Sequence, residues 1–234
     1  MKKFFVIGNP INHSLSPELH NFWIKKNKIN AVYDKIKLEE PELKDFINKL
    51  RNEEIHGINV TVPFKNKVIK YLDKLSLEVE KTDSVNTIYK NGDDIIGHNT
   101  DVAGFELGLR HSKINVLHKS ILILGAGGVV PSIIYSLLSM GCKKIFLSNR
   151  TIEKAENIKK KFNEVEVLNW GKIPDFDIAI NATSVGLKGD SLDLDLKAKG
   201  KIFYDIIYNP KETPFLKKAK ENGNRIENGI FMFI

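Results

Sequence analysis

The sequence has 234 residues, of which 42% are hydrophobic, and a formal net charge of +7. This length suits one large domain or two small ones, and no uninterrupted apolar run approaches the roughly 20 residues of a membrane-spanning helix. The apolar residues 4–7 lead straight into Gly8-Asn9-Pro10 without a cleavage-site pattern, so they are interpreted as a buried strand and not as a signal peptide. We therefore expect a cytoplasmic protein with no membrane partner.

Charge, cysteine and histidine content exclude further classes of protein. Only four of the 36 basic residues are arginines, and the lysines are spread over predicted helices such as residues 156–161 with acids among them, which is typical of a solvated surface. The single cysteine, Cys142, excludes an internal disulfide and a paired-thiol redox site. The six histidines show no metal-ligand spacing. We expect neither a metal ion nor a nucleic-acid partner.

Hydrophobic periodicity and turn residues divide the chain into two α/β stretches. In the first stretch we expect strands at residues 3–8, 31–38 and 58–62, a hairpin formed by residues 84–89 and 95–98, and helices starting near Ser16, near Pro41, after Pro63 and at Asp101. In the second we expect strands at residues 121–124, 144–147, 165–168, 178–181 and 202–206, with helices running to Met140 and over residues 151–162. This alternation predicts an α/β fold with mostly parallel sheets, the second of which is a Rossmann-type, doubly wound dinucleotide-binding domain.

A glycine-rich turn marks the start of the second stretch. Residues 125–128 (GAGG) follow a buried strand and open a helix, whose N-terminal amides and dipole can hold a pyrophosphate. Val130 occupies the third glycine position of the full fingerprint, and a tight turn without a ligand is the alternative. We interpret Gly125, Ala126, Gly127 and Gly128 as cofactor-binding residues.

The end of the next strand indicates which dinucleotide is bound. Where an NAD enzyme carries an acidic residue for the ribose hydroxyls, this sequence has Asn149-Arg150-Thr151. The Arg150 guanidinium suits a 2′-phosphate, Thr151 can cap the following helix and donate its hydroxyl, and Lys154 adds a second positive charge. An ordinary basic helix start is the alternative. The pattern predicts NADP(H) as the cofactor.

Small polar residues gather at the predicted strand ends of the first stretch. Asn59 and Thr61 alternate on one strand and can face the same side, and Pro63 ends that strand. Lys65 then falls near a helix N-terminus, where the dipole disfavours a cation, so its position suggests a function. Helix capping by Ser16, a turn role for Asn86 and a helix-start role for Asp101 are the alternatives. The full set suits a polyhydroxylated ligand and comprises Ser14, Ser16, Asn59, Thr61, Lys65, Asn86, Thr87, Asn99 and Asp101.

Taken in order, these motifs resemble the shikimate dehydrogenase family over nearly the whole chain. Each run alone is weak evidence, but the ordered set is specific. The runs are residues 8–17 (GNPINHSLSP), 57–65 (GINVTVPFK), 84–87 (SVNT), 97–101 (GHNTD), 125–128 (GAGG), 149–151 (NRT), 181–186 (NATSVG) and 205–214 (DIIYNPKETP). The resemblance implies an oxidoreductase of aromatic amino-acid biosynthesis that reversibly reduces 3-dehydroshikimate to shikimate with NADPH, as a monomer or homodimer.

The resemblance also implies a role for each motif. Residues 1–102 would form a substrate-binding catalytic domain, to which the C-terminal tail returns, and residues 103–234 an NADP-binding Rossmann domain. Lys65 and Asp101 would be the catalytic pair, and Ser14 and Ser16 would hold the substrate carboxylate. Asn59, Thr61, Asn86 and Asp101 would contact the ring hydroxyls, with Tyr208 approaching the substrate from the second domain. The remaining residues implied to line the cofactor site are Asn149, Asn181, Ala182, Thr183 and Gly229.

Two features depart from the family pattern. The family has alanine and arginine after the glycine turn, where this chain has Val129-Val130-Pro131-Ser132. The chain also ends at Ile234, within an apolar run, where the family continues into a glutamine that touches the substrate and a helix that packs on the first domain. We expect this ending to raise the KM for shikimate, to lower stability and to leave an apolar patch exposed.

Three other functions compete with this interpretation. A quinate/shikimate dehydrogenase of broader range often accepts NAD, but Arg150 and the absence of an acid at residues 148–150 argue against it. A catalytically impaired sensor of shikimate or NADPH remains an alternative, which a turnover assay would test. A nucleic-acid-binding scaffold is disfavoured because the lysines are scattered.

Overall fold

The structure is a computed structural model that describes residues 1–12 and 14–234. These residues form two compact units, Met1–Thr100 and Asp101–Ile234, each with its own sheet and its own hydrophobic core. The division falls after Thr100, where the sequence suggested residue 102. His13, which belongs to the first family motif, lies outside the described residues.

The first unit combines a six-stranded sheet with three helices. The short segments Glu40–Glu42 and Ile69–Tyr71 are single 3₁₀ turns. The elements are β1 (Lys2–Gly8), α1 (Ser16–Lys26), β2 (Ala31–Lys37), α2 (Leu43–Arg51), β3 (Gly57–Val60), β4 (Lys74–Leu75), α3 (Leu77–Thr82), β5 (Thr87–Asn91) and β6 (Asp94–His98).

The strand order of the first sheet is β2-β1-β3-β5-β6-β4, which places β3 near the centre. β1 runs parallel to both β2 and β3, whereas β5 pairs antiparallel with β3 and with β6. The sheet is therefore mixed, because β5 and β6 form the predicted hairpin. Helix α2 covers the sheet with Leu43, Phe46, Ile47 and Leu50, which recur at helical spacing and are all buried.

The helix predicted after Pro63 does not form. Residues 63–68 make consecutive turns, in which Phe64 N–H bonds to the Thr61 carbonyl. The Lys65 carbonyl accepts a hydrogen bond from Val85 N–H at 2.8 Å instead of from an amide four residues further along. This long-range bond replaces a helical one, so the expectation that Lys65 lies at a helix N-terminus is wrong.

The second unit contains a six-stranded, wholly parallel sheet in the order β12-β11-β10-β7-β8-β9. This is the doubly wound order of a Rossmann fold, and it confirms the predicted fold class. The elements are α4 (Asp101–His111), β7 (Ser120–Leu124), α5 (Val130–Ser139), β8 (Lys144–Ser148), α6 (Ile152–Lys159), β9 (Val165–Leu168), β10 (Ile178–Asn181), β11 (Ile202–Asp205), α7 (Pro214–Glu221), β12 (Arg225–Asn228) and α8 (Ile230–Phe233).

Helix α8 packs against α4 within the second unit. A Cβ atom added to Gly104 would lie 3.0 Å from the Met232 carbonyl oxygen, and one added to Gly108 would lie 3.1 Å from the Met232 nitrogen. These two glycines, one helical turn apart, allow the backbones to approach closely. The apolar residues 230–233 are half-buried as a result, and of the run expected to be exposed only Ile234 is.

Two searches of the described residues bear on other functions. None of their helices is long and apolar enough to cross a membrane. In the same part of the chain, no group of three or more histidine, cysteine, aspartate or glutamate side chains is arranged to hold a metal ion.

Candidate active site

The predicted substrate residues of the first unit lie around the central strand β3. Asn59 lies opposite Val6 of β1 and Thr87 of β5, so it is held between two neighbouring strands. Thr61 follows the end of β3, where its N–H donates to the Ile7 carbonyl at 2.9 Å. The structure thus brings Asn59 and Thr87 into contact, with Thr61 directly beyond the strand end.

Two asparagine side chains of this group are held by backbone partners. Asn59 Nδ2 donates to the Asn86 carbonyl and to Thr87 Oγ1, both at 3.1 Å. Asn86 Oδ1 accepts from the Thr100 N–H at 2.9 Å and from Thr87 Oγ1 at 3.0 Å. Because a carbonyl only accepts and an N–H only donates, these contacts fix which end of each amide faces which way.

Ser14 and Ser16 lie at the start of α1. Ser16 is the first residue of the helix and is preceded by Leu15 at the cap position, so the alternative of Ser16 as helix cap is wrong. The Ser16 N–H donates to Ser14 Oγ at 3.3 Å, and Lys35 Nζ donates to the Asn12 carbonyl at 2.7 Å. Two hydroxyls at a helix N-terminus, with an ammonium nearby, suit a carboxylate.

The predicted catalytic residues fall in different units. Lys65 is half-buried in the turns that follow Pro63, and its carbonyl is tied to the segment that leads into β5. Asp101 is the half-buried first residue of α4, in the second unit. Each of the two therefore sits at the end of a secondary-structure element or in a turn and not within a sheet.

The glycine turn of the second unit lies at the point where the sheet order reverses. Gly125 has a φ of +110°, a conformation that favours glycine, and its N–H donates to the Ser148 carbonyl at 2.8 Å. A Cβ atom on Gly125 would lie 2.8 Å from the Ala182 carbonyl oxygen. The carboxyl ends of β7, β8 and β10 therefore meet here, as they do where Rossmann folds bind their ligands.

This turn suits a pyrophosphate. Gly127 and Gly128 are exposed just before α5 begins at Val130, so backbone amides without side chains precede a helix N-terminus. Val130, at the missing third glycine position, is fully buried in the core of the unit. Its side chain thus packs inward, away from the exposed glycines.

The residues predicted to read the 2′-phosphate follow β8, next to this turn. Arg150, Thr151 and Lys154 are all exposed, and Asn149 Nδ2 donates to the Thr151 carbonyl at 2.7 Å. Thr151 occupies the cap position of α6, but its side chain makes no capping hydrogen bond, so that part of the prediction is wrong. An exposed guanidinium and hydroxyl beside the glycine turn are compatible with phosphate recognition.

The predicted cofactor loop after β10 is built on a buried carboxylate. Asn181 is fully buried, donates to Asp205 Oδ2 at 3.0 Å and accepts from the N–H and the hydroxyl of Thr183. Asp205 also accepts from Thr213 Oγ1 at 2.6 Å and from Ile207 N–H at 3.0 Å. Burial raises the pKa of Asp205 to about 6, although these donors favour its charged form. The Asn181 side chain therefore shapes the loop from inside.

Tyr208 and Gly229 occupy neighbouring positions at the end of the second sheet. The Tyr208 ring stacks on the Phe233 ring of α8 with 4.1 Å between centroids. Gly229 is buried, donates to the Ile207 carbonyl at 3.2 Å, and leaves no room for a Cβ beside the Ile206 carbonyl. The structure thus gives Gly229 a close-packing role.

Tyr33 and Asp205 hydrogen-bond the predicted site residues Asn59 and Asn181, and the two differ in how much their local sequence indicates this. Tyr33 fits the alternating pattern of a strand, and nothing local distinguishes it from a core aromatic residue. Asp205 carried a signal, because an acid that ends the apolar run of β11 is an unusual residue to bury.

A mixed α/β unit with polar groups around a central strand and a Rossmann unit with a glycine turn at its switch point are together typical of a dinucleotide-dependent oxidoreductase. Two family models match the chain: the shikimate dehydrogenase substrate-binding domain over residues 6–88, and shikimate / quinate 5-dehydrogenase over residues 108–187. The chain belongs to the shikimate dehydrogenase family.

Individual relatives agree with this assignment. A shikimate dehydrogenase (NADP(+)) from Pelagibacter ubique strain HTCC1062 is 56% identical, over 100% of this chain and 89% of that protein. The crystal structure of shikimate dehydrogenase from Aquifex aeolicus has a TM-score of 0.92 at 39% identity, covering 100% of this chain and 88% of that one. The structure of the Listeria monocytogenes shikimate 5-dehydrogenase, in complex with shikimate and NAD, has a TM-score of 0.91 at 31% identity with the same coverage.

Proposed function

We propose that this chain performs the reaction of its family through Lys65 and Asp101. The chain catalyses the reversible, NADPH-dependent reduction of 3-dehydroshikimate to shikimate. The observation that supports this most strongly is the 56% identity to an NADP-dependent shikimate dehydrogenase along the whole chain. The polar groups around β3 and the glycine turn after β7 supply the two kinds of site that the reaction needs.

The proposed chemistry assigns a proton donor and an orienting base. NADPH, when bound, supplies the hydride to the carbonyl carbon. Negative charge then grows on the carbonyl oxygen, where the Lys65 ammonium stabilises it and donates the proton. Asp101 is the second member of the proposed catalytic pair, and its carboxylate accepts a hydrogen bond from the adjacent substrate hydroxyl. In the oxidative direction the neutral Lys65 amine takes the proton back from the substrate hydroxyl.

The proposed substrate contacts follow from the polarity of each group. Ser14 and Ser16 hold the carboxylate at the start of α1, where the helix dipole favours an anion. Asn59, Thr61 and Asn86 bind the ring hydroxyls. Asp101 and Tyr208 are further proposed contacts of the substrate.

For the cofactor, we propose that residues 125–128 bind the pyrophosphate, together with the loop formed by Ala182, Thr183 and the supporting Asn181. We also propose that Asn149, Arg150, Thr151 and Lys154 bind the 2′-phosphate end and that Gly229 is a further cofactor-binding residue. We extend the proposal to a cytoplasmic location and to a monomer or homodimer, which cell fractionation and light scattering would test.

Steady-state oxidation of shikimate and of quinate, each with NADP and with NAD, tests the proposal. We expect the highest kcat/KM for shikimate with NADP. Higher kcat/KM with quinate or with NAD would contradict the assigned substrate or cofactor, and absence of turnover with all four pairs would contradict the catalytic role itself.

A further inference from the structure

Tyr33 contacts a proposed substrate residue from the inside of the first unit. It lies on β2 and is only 5% exposed, and its hydroxyl donates to Asn59 Oδ1 at 2.6 Å, which is shorter than the two hydrogen bonds that Asn59 Nδ2 donates. Because Asn59 Nδ2 faces the Asn86 carbonyl, Oδ1 must be the end that faces Tyr33. The Tyr33 hydroxyl is therefore the donor in this bond.

These contacts use both hydrogens of the Asn59 amide. One goes to the Asn86 carbonyl and the other to Thr87 Oγ1. Among the described residues, Oδ1 accepts a hydrogen bond only from Tyr33, and a carbonyl oxygen can accept two. The amide can therefore offer a ligand an acceptor but no donor.

The donors continue in one direction beyond Asn59. Thr87 Oγ1 accepts from Asn59 and donates to Asn86 Oδ1, and Asn86 Nδ2 donates to Thr100 Oγ1 at 2.8 Å. A chain of hydrogen bonds that all point the same way polarises each member in turn. Tyr33 is the first donor in this series of hydrogen bonds. Loss of the Tyr33 hydroxyl would therefore leave Asn59 less firmly held and would weaken every later hydrogen bond in the series.

Tyr33 itself is fixed by helix α1. Asn21 bonds to both backbone groups of Tyr33, at 3.0 Å to its N–H and 2.7 Å to its carbonyl. The His20 ring lies flat on the Tyr33 ring, with 4.1 Å between centroids and 8° between planes. Helix α1 begins at Ser16, so the helix that carries the proposed carboxylate site also fixes Tyr33.

We infer that Tyr33 is a positioning residue that acts through Asn59 and makes Asn59 an obligatory acceptor for a substrate hydroxyl. The inference rests on the proposed function, because it assumes that Asn59 touches the substrate. Tyr33 touches neither the substrate nor the cofactor. It selects a ligand that presents a hydroxyl donor at this position and disfavours one that presents an oxygen without a hydrogen.

A double-mutant cycle tests this, with Tyr33→Phe made in the wild-type and in the Asn59→Ala background. In the wild-type background we expect kcat/KM for shikimate to fall about three- to tenfold, mainly through a higher KM, which is the effect of one neutral hydrogen bond. In the Asn59→Ala background we expect Tyr33→Phe to change kcat/KM by no more than about twofold, the residual that non-interacting sites leave in such a cycle. The KM for NADP should stay unchanged in both.

A purely structural role would lower kcat/KM equally in both backgrounds, and that result, or no change in the wild-type background, would overturn the inference. Tyr89→Phe is the matched control, since Tyr89 lies in the same unit on β5 and is 40% exposed. If Tyr33→Phe alone fails to fold, the double variant, which also removes the Asn59 amide, is compared with Asn59→Ala. A further loss there overturns the inference and no further loss supports it. Wild-type protein that does not oxidise shikimate would instead contradict the proposed function.

Discussion

Lys65 is the residue whose replacement separates chemistry from binding. We expect Lys65→Ala to lower kcat on the order of 10²-fold or more with little change in KM, because the ammonium is needed chiefly as charge develops on oxygen. Steady-state kinetics with shikimate and NADP measure both parameters. Lys67→Ala, which removes a half-exposed lysine paired with Glu40, is the control and should leave kcat unchanged. A Lys65→Ala variant with normal kcat and only a raised KM would refute the assigned role.

Arg150 is expected to discriminate between the two dinucleotides. Arg150→Ala should weaken NADP binding by about 1.5–3 kcal/mol, the range for a hydrogen bond to a charged group, and leave NAD binding little changed. Arg150→Lys should restore only part of the loss, because a point charge does not reproduce paired hydrogen bonds. Calorimetric titration with each dinucleotide measures the difference. Equal losses for NADP and NAD would indicate that Arg150 supports the fold instead.

Asp205 should make the free energy of unfolding depend on pH. Its pKa is raised in the folded state, so the folded protein holds this proton more tightly than the unfolded chain does. The resulting stabilisation is complete below pH about 4 and is lost as the pH rises through about 6, on the order of 1–3 kcal/mol in all. Urea unfolding of wild type and Asp205→Asn across this range should show that the difference between them changes with pH.

Asp190→Asn provides the control for that measurement. The Gly186 N–H lowers the pKa of Asp190, so its contribution to stability is lost only at more acidic pH, below its ordinary pKa. Across pH 4.5–7 the difference between this variant and wild type should stay flat. A flat difference for Asp205→Asn as well would show that Asp205 titrates in its ordinary range.

At the scale of elements, the turn between β7 and α5 depends on Gly125. Gly125→Ala combines an unfavourable φ of +110° with a Cβ only 2.8 Å from the Ala182 carbonyl oxygen, so the turn must shift. We expect a loss of stability of about 1–3 kcal/mol together with weaker NADP binding. Gly171→Ala measures the cost of the unfavourable φ alone, since Gly171 has a φ of +91° with nothing within 4 Å of its Cβ position. Thermal melts and NADP titration of both variants test this, and unimpaired NADP affinity in Gly125→Ala would count against the cofactor assignment.

Elements defined by local patterns could be predicted from the sequence. β7 is an apolar run followed by Gly125, β10 is an apolar run that ends at Asn181, and α2 repeats its apolar residues at helical spacing. The conformation of the segment after Pro63 could not be predicted in this way. It depends on a hydrogen bond from the Val85 N–H to the Lys65 carbonyl, which no local pattern reveals. β4 and α3 were also missed, since β4 has two residues and α3 six, too short to display a period.

The residues of the candidate site also divide into those that belong to a local motif and those whose role depends on a distant partner. Gly125 and Arg150 belong to contiguous motifs whose chemistry follows from their order in the chain. Tyr33 acquires its role only through Asn59, a residue 26 positions away on another strand. Asp205 likewise depends on Asn181, which is 24 positions away. Side chains that hydrogen-bond a site residue from another strand can be recognised only when the arrangement of the strands is known.

At the scale of the whole molecule, the two units differ in the type of sheet they contain and in where their proposed ligand-binding residues lie. The first unit has a mixed sheet and carries the proposed hydroxyl and carboxylate contacts around β3 and α1. The second has a wholly parallel sheet, buried on both faces, with its ligand groups in the loops beyond the carboxyl ends of the strands. Under the proposed assignments, the substrate contacts therefore come from side chains on and near strand ends and at the start of α1, and the pyrophosphate contacts come mainly from the backbone of a turn.

The buried carboxylate of Asp205 also bears on the order in which the second unit folds. Its donors come from β10, from the residues after β11 and from the start of α7, and until all three are in place the carboxylate is better solvated by water. β11 and the start of α7 should therefore dock on β10 late in folding, when all three donors come together. Thr213→Val, which removes one donor, should speed unfolding and leave the refolding rate nearly unchanged, as stopped-flow measurements in urea would show. Slower refolding would place this contact in the folding nucleus. In the expected case, the short hydrogen bond from Thr213 to Asp205 governs the unfolding rate of the native state and has little effect on its folding rate.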